Sequence, residues 1–184
     1  MTKSVKQLLD LGGRVALVTG GSRGLGLQMA KALGEMGAKV AITARKRPEL
    51  DEAVAQLAAL GIEAAAWTCD MANKDDILPT ADKVIAQYGK IDILVNNAGI
   101  SWGAPAEDHP IEAWEKVTTV NLTSVFILTQ HVAKRSMIPA RWGRVVNIAS
   151  VAGIAGQDPR IMMTAAYNAS KGGLVNLSDR KSVV

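Results

Sequence analysis

Tyr167 and Lys171 stand four residues apart late in the chain, with Ser150 upstream of both. On a helix, positions i and i+4 share a face, so this spacing sets a phenol beside an ammonium. A neighbouring cation favours the phenolate, which makes a tyrosine usable as a proton donor or acceptor near neutral pH. Near the other end, Thr19-Gly20-Gly21-Ser22-Arg23-Gly24-Leu25-Gly26 follows a short apolar run and opens an amphipathic stretch. A glycine-rich turn leading into a helix aims backbone N–H groups at an anion. A phosphate seat and a cation-paired phenol in one chain imply nicotinamide-dependent redox chemistry.

The elements that must position these groups alternate. Apolar runs at Arg14–Thr19, Lys39–Ala44, Glu63–Cys69, Ile91–Val95 and Arg144–Ala149 predict strands. Helical periodicity predicts helices over Gly24–Met36, from Pro48 to Gly61, over Lys74–Tyr88, over Ile111–Met137 and from about Thr164. Strands spaced by helices imply right-handed βαβ units. The expected fold is α/β, a Rossmann-like doubly wound parallel sheet in three α/β/α layers, forming one dinucleotide-binding and catalytic domain over residues 1–184. Such sheets bind ligands at the carboxyl ends of their strands. The residues just after the five runs are Gly20, Arg45, Asp70, Asn97 and Ser150, each able to do chemistry or to bring backbone close to a ligand.

Composition narrows the class. The 184 residues, 48% of them hydrophobic, have the length and the material of one cored domain. The net charge is +4, and the densest basic cluster, Arg45-Lys46-Arg47, is too short for a nucleic-acid stripe. The single cysteine, Cys69, excludes an intrachain disulfide and fits a reducing compartment. Met1–Asp10 has no apolar core of a signal peptide, and no run has transmembrane length. The expectation is a cytoplasmic protein with a small-molecule substrate and neither nucleic-acid nor membrane partners. His109 and His131 are the only histidines and no G-x-S-x-G elbow accompanies them, which argues against a Ser-His hydrolase. No His, Cys and acid spacing resembles a metal site.

In the glycine-rich turn, Gly20 suits the tight turn, Gly24 a close approach to a pyrophosphate and Gly26 helix packing on the sheet. An acid at the end of the second strand would bond the ribose 2′-hydroxyl of NAD. Ile42-Thr43-Ala44-Arg45-Lys46 has none, whereas Arg45 and Arg23 can pair with a 2′-phosphate. This favours NADP(H) over NAD(H); the alternative is two solvated arginines. Asp70 either accepts a hydrogen bond from an adenine amino group or N-caps the next helix. Asn97, Ala98 and Gly99 either let backbone lie against a nucleotide or simply form a turn. Asn121 interrupts an apolar stripe of Val117, Val125, Leu128 and Val132, where burial demands a partner. It either bonds within its own helix or bends that helix and holds a water.

With these motifs in this order, from about Arg14 to about Leu177, the chain resembles the short-chain dehydrogenase/reductase family, the branch with T-G-x-x-x-G-x-G and Tyr-x-x-x-Lys. The resemblance implies that Thr19, Gly20, Ser22, Arg23, Gly24, Leu25 and Gly26 hold the cofactor pyrophosphate. It implies Arg45 at the ribose phosphate, Asp70 and Met71 at the adenine, Asn97, Ala98 and Gly99 along the adenosine, and Tyr167 and Lys171 at the nicotinamide ribose. Asn121, Ser150, Tyr167 and Lys171 become the catalytic four. Tyr167 moves the proton, Ser150 bonds the substrate oxygen as charge develops, Lys171 favours the tyrosinate and Asn121 holds a water in a relay to Lys171. Ile100-Ser101-Trp102-Gly103 and Trp114 are similar to gluconate 5-dehydrogenase-like and 3-oxoacyl-carrier-protein reductase-like members. The substrate is then a sugar acid, a small hydroxy compound or a 3-oxoacyl thioester, with Arg160, Met162 and Met163 candidates to line its pocket. The alternatives are a non-catalytic nucleotide-binding protein and an inactive fragment.

Members of this family pair two long helices between subunits, so Ile111–Met137 carries an expectation of a homo-oligomer. They also continue past the helix of Tyr167 with further strands and a substrate cover. Here Val175-Asn176-Leu177-Ser178 runs into Asp179-Arg180-Lys181-Ser182-Val183-Val184. That last segment can be back-translated as a common sequencing-adapter sequence, so residues 179–184 read as a non-native tail on a fragment, with natural truncation as the alternative. The fold is expected to be incomplete at its C-terminal end, with the fifth strand an exposed edge and little or no turnover.

Overall fold

Short runs rich in Val, Ile and Ala form five strands: β1 (Val15–Thr19), β2 (Lys39–Ala44), β3 (Ala64–Thr68), β4 (Ile93–Asn96) and β5 (Arg144–Asn147). The computed structural model describes residues 4–156, 158 and 162–179. All neighbouring strands pair in parallel, in the order β3-β2-β1-β4-β5. Leu17 lies opposite Ala41 on one side and Leu94 on the other. The connections run one way from β1 through β2 to β3 and the other way from β1's far neighbour β4 to β5. The crevice between β1 and β4 is therefore the switch point of a doubly wound sheet.

Alternation along the strands fills two cores. Ala16 and Val18 of β1 with Val40 and Ile42 of β2 face α2 (Gly24–Glu35) and α3 (Arg47–Ala58), meeting Ala30, Leu50 and Leu57. Leu17, Ala41 and Leu94 point the other way. They meet Ile77 and Val84 of α4 (Lys74–Tyr88) and Leu128 and Val132 of α6 (Ser124–Val132). This is the expected three-layer α/β/α arrangement. A short α1 (Val5–Leu9) precedes it, closed by a capping box in which Ser4 and Gln7 bond each other's backbone. The sequence reading missed it, although Ser4-x-x-Gln7 is the pattern of such a cap.

The stretch Ile111–Met137 is not one regular helix. It divides into α5 (Ile111–Thr118), a π turn at Thr119–Thr123, α6, and a second π turn at Ala133–Met137 that leads to α7 (Ile138–Ala140). Each π turn spends an extra residue to aim a polar side chain inward. The first aims Asn121; the second brings Ser136 to accept a hydrogen bond from the Ile91 N–H at 3.1 Å. Apolar periodicity survives such an insertion, so the sequence read as unbroken. The final α8 (Ala165–Asp179) packs beside α5 and the first π turn. Strand β5 is the sheet edge, with Val145 37% and Val146 45% exposed.

The amino-terminal edge of the sheet is pinned by Asp92, whose side chain is 2% exposed. Its carboxylate accepts from the Val15 N–H at 2.9 Å, Arg14 at 3.0 Å and Lys90 at 3.0 Å. Arg14 also stacks on Trp142, 3.6 Å from the ring centre. Burial raises the Asp92 pKa, but the Val15 N–H, Lys90 and Arg14 outweigh it and the net shift is downward. A carboxylate with a depressed folded pKa stabilises the fold above its unfolded pKa and loses that contribution as pH falls through the folded value. Asp92→Asn should therefore destabilise by about 1–3 kcal/mol at pH 7. In urea melts, the gap to wild type should narrow as pH falls below about 4; a gap independent of pH would refute this origin.

Candidate active site

A cleft of about 360 Å³ opens at the carboxyl ends of the central strands, where the turn after β1 faces the turn after β4. Two glycines make the first turn possible. Gly20 has φ +66°, a left-handed conformation that a side chain resists, and a Cβ on Gly26 would sit 2.1 Å from the Gly20 carbonyl oxygen. Gly26 thus lets α2 close on the turn itself rather than on the sheet, as the sequence had suggested. Gly24 also needs its positive φ, +56°, with open space in front of it. Asn97 ties this turn to β4: its amide donates to the Thr19 carbonyl at 3.0 Å and to the Gly20 carbonyl at 3.2 Å. Thr19 answers by accepting from the Asn97 and Ala98 N–H groups, both at 3.0 Å.

Of the expected cofactor residues, Gly20, Ser22, Arg23 and Gly24 line the cleft on one side, and Asn97, Ala98 and Gly99 on the other. Arg45, Asp70 and Met71 line its far end. Thr19 and Gly26 stand behind this wall as its supports. Leu25 is 71% exposed and outside the lining. Asp70 is not the N-cap of α4; Asn73 is, accepting from the Asp75 N–H at 3.2 Å. Asp70 instead accepts from the Ala72 N–H at 3.0 Å, which fixes its carboxylate at the cleft.

The sequence reading found no acid at the end of β2, and none stands there, but the structure brings one in from the helix that follows. Glu49, on the first turn of α3, brings a carboxylate into the same cleft beside Ser22, Arg23 and Lys46. Lys116 of α5 adds a further cation to the lining. Glu49 was legible as the i+3 partner of Lys46; nothing local in the sequence marked Lys116.

Of the four expected catalytic residues, Tyr167 and Lys171 lie on α8 and Asn121 reaches that helix through Ser170. Lys171 is buried, and its Nζ lies 5.6 Å from the Tyr167 ring centre and donates to the Ile148 carbonyl at 2.5 Å. Desolvation pulls its pKa below the usual lysine value. Asn121 neither bonds within its own helix nor is free to hold a water with its whole amide. Its oxygen accepts from the Ile100 N–H at 2.9 Å, and its nitrogen donates to the Ile100 carbonyl at 2.9 Å and to Ser170 at 3.0 Å. It staples the turn after β4 to α8.

Ser150 begins a short 3₁₀ turn, Val151–Gly153, and its hydroxyl accepts from the Ala152 N–H at 3.2 Å. That turn is pressed on α8: a Cβ on Gly153 would sit 2.5 Å from the Lys171 carbonyl carbon. Met163 bonds the Ala104 N–H through its carbonyl at 2.9 Å and, like Met162, leaves its side chain 45% exposed. Arg160 lies outside the described residues. The cleft and the α8 pair meet at Gly99, where a Cβ would stand 3.3 Å from Asn121 Oδ1 and 3.7 Å from Lys171 Nζ.

A parallel sheet that switches direction at a glycine-rich cleft, with a Tyr–Lys helix beside it, defines a Rossmann-like doubly wound α/β fold. A family model described as short chain dehydrogenase matches residues 14–182, and the chain belongs to that family. It is 36% identical over 172 residues to a 2-dehydro-3-deoxy-D-gluconate 5-dehydrogenase of Formosa agariphila, covering 93% of this chain and 63% of the relative. It is 41% identical over 172 residues to a rhamnolipids biosynthesis 3-oxoacyl-[acyl-carrier-protein] reductase of Pseudomonas aeruginosa, covering 92% and 66%. The chain thus spans a little under two thirds of these relatives. The solved actinorhodin polyketide ketoreductase with NADPH superposes with TM-score 0.84 at 39% identity, covering 89% of this chain and 62% of that one. An NAD⁺-bound xylitol dehydrogenase does so with TM-score 0.83 at 37% identity, covering 90% and 62%.

Asn121→Leu keeps the branched shape but leaves both Ile100 backbone groups and Ser170 without the Asn121 amide. The expected cost is about 2–4 kcal/mol in denaturant midpoint experiments. A loss below about 0.5 kcal/mol would show that the staple is dispensable.

Proposed function

We propose that this chain carries the dinucleotide-binding and catalytic parts, in one domain, of an oxidoreductase. The reaction is hydride transfer between NADP(H) and the carbonyl or secondary alcohol of a small substrate. The observation that carries the reading is the junction at Gly99, where the wall of the cleft meets Lys171 of the Tyr–Lys pair. The residues present fit such a cofactor. Gly20 and Gly24 take the conformations that present backbone to a pyrophosphate, and the N-terminus of α2 faces the same space. Arg23, Arg45 and Lys46 line the end suited to a 2′-phosphate. When bound, the nicotinamide supplies the hydride.

The chain's own groups do the rest. Tyr167 gives a proton to the carbonyl oxygen in reduction and removes it in oxidation. Lys171 holds its charge 5.6 Å from that ring and presents an ammonium to the cofactor ribose. Ser150 turns its hydroxyl from the Ala152 N–H to the substrate oxygen as charge develops there. Asn121 acts by fixing Ile100 and Ser170 around the pair, rather than by delivering a water with its side chain. The names of the relatives support two substrate classes, a keto sugar acid and a 3-oxoacyl thioester.

Titrating the chain with NADPH and NADH by cofactor fluorescence should show binding of both, with NADPH the tighter; equal affinities, or tighter NADH, would defeat the NADP(H) assignment. In the whole protein, Tyr167→Phe should lower NADPH oxidation at least ~100-fold while leaving the NADPH Kd within about twofold. Retention of more than a few per cent of turnover would sink the role of Tyr167.

The same reading includes self-association of the whole protein. No helix among the described residues is long and apolar enough to cross a membrane, so a bilayer-spanning helix does not account for the apolar groove of Leu122, Phe126 and Leu177 between α6 and α8. Phe126 is 48% exposed there. Light scattering of the whole protein should report a dimer or larger at micromolar concentration, and Phe126→Glu should shift it to monomer. A wild-type monomer would contradict this.

A further inference from the structure

The end of the cleft suited to a 2′-phosphate is already partly occupied by the protein. Glu49 sets one carboxylate oxygen 2.9 Å from Lys46 Nζ and the other 3.4 Å from the Ser22 hydroxyl. The Lys46 ammonium holds the Glu49 carboxyl below its usual pKa against desolvation, and Arg23 and Ser22 add to it. These are the groups that a phosphate on the ribose would need: a hydroxyl donor, an ammonium and a guanidinium around one anion. All of them line the cleft together with Glu49.

We propose that Glu49 is a built-in competitor for the ribose 2′-phosphate and a specificity-determining residue of the cofactor site. Resting on Ser22 and Lys46, its carboxylate must be pushed aside, or endured as a like charge, whenever a 2′-phosphate enters. Toward a dinucleotide without that phosphate the same carboxylate is an acceptor for the free 2′-hydroxyl. The cations and the carboxylate therefore oppose each other, and Glu49 sets how far NADP(H) is preferred over NAD(H). This rests on the cofactor reading given above.

The test titrates the 184-residue chain and its Glu49→Gln variant with NADPH, NADH, 2′,5′-ADP and 5′-ADP, the last two probing the adenosine end alone. Glu49→Gln should tighten NADPH and 2′,5′-ADP about tenfold, leave 5′-ADP within about twofold, and widen the NADPH-to-NADH affinity ratio about tenfold or more. Glu49→Asp, which keeps the charge but draws it back from Ser22, should fall between the two. In the Glu49→Gln background, Lys46→Met should reverse much of the gain, because the freed ammonium is then missing. An unchanged ratio, or weaker NADPH binding in Glu49→Gln, would overturn the proposal while leaving the cofactor site standing. Failure of all four nucleotides to bind either folded protein would overturn the cofactor site and this inference together.

Discussion

One buried hydroxyl holds the two halves of the cleft in register. Thr19 Oγ1 donates to the Val95 carbonyl at 3.3 Å and accepts from the Asn97 and Ala98 N–H groups, both at 3.0 Å. It is 1% exposed, so none of these bonds competes with water. Strands β1 and β4 are neighbours, yet their connections leave in opposite directions, and ladder bonds stop where the strands end. Beyond that point the spacing of the two turns depends on side chains. Valine would fill the same space and take the hydroxyl partner from the Ala98 N–H, a cost of about 1–3 kcal/mol, while the Asn97 N–H and the Val95 carbonyl would keep their mutual bond at 3.1 Å.

From that joint the constraint passes across the site through close packing and side-chain hydrogen bonds. Gly26 lies against the Gly20 carbonyl, and Asn97 closes the turn from the other side. Gly99 leaves room for Asn121 and Lys171, which a Cβ there would meet at 3.3 and 3.7 Å, Asn121 grips Ile100 and Ser170, and Lys171 reaches Ile148 just past the end of β5. Burial of Lys171 is unfavourable for its charge, and its partners among the described residues are a carbonyl and a ring face. A carboxylate would hold the ammonium in place and also cancel its field. A carbonyl positions it without cancelling its field, as the proposed role of the Tyr–Lys pair requires.

Much of this was legible in the sequence for a physical reason: strand and helix periods, glycine-rich turns and the i,i+4 spacing of Tyr167 and Lys171 are local signals. The strands fell within a few residues of their predicted ends, and α4 at its predicted bounds. What escaped was non-local or register-breaking. The π turns at Thr119–Thr123 and Ala133–Met137 insert a residue without disturbing the apolar stripe. The partners of Asn121 lie in a turn and a helix distant in sequence. Glu49 stands in the first turn of α3, and the rule that looks for an acid at the end of β2 examines the strand and not the helix turn that follows it.

That double character of Glu49 bears on how such a cleft acquires its preference. A carboxylate in the first turn of α3 is favoured by the helix dipole and by Lys46 three residues earlier, whatever ligand is present. The cleft therefore receives a negative charge from a requirement of helix stability. On the proposed cofactor reading, the surrounding cations answer two demands, pairing with Glu49 and attracting phosphate, and net selectivity is the small difference between opposing terms. The glycine turn has no comparable freedom, since at Gly26 a single added carbon would collide with the Gly20 carbonyl. In the proposed site, sequence change can thus retune the ribose end through a partly exposed side chain while backbone sterics keep the pyrophosphate end fixed. On this argument, dinucleotide binding and the choice between dinucleotides are separable properties of one site.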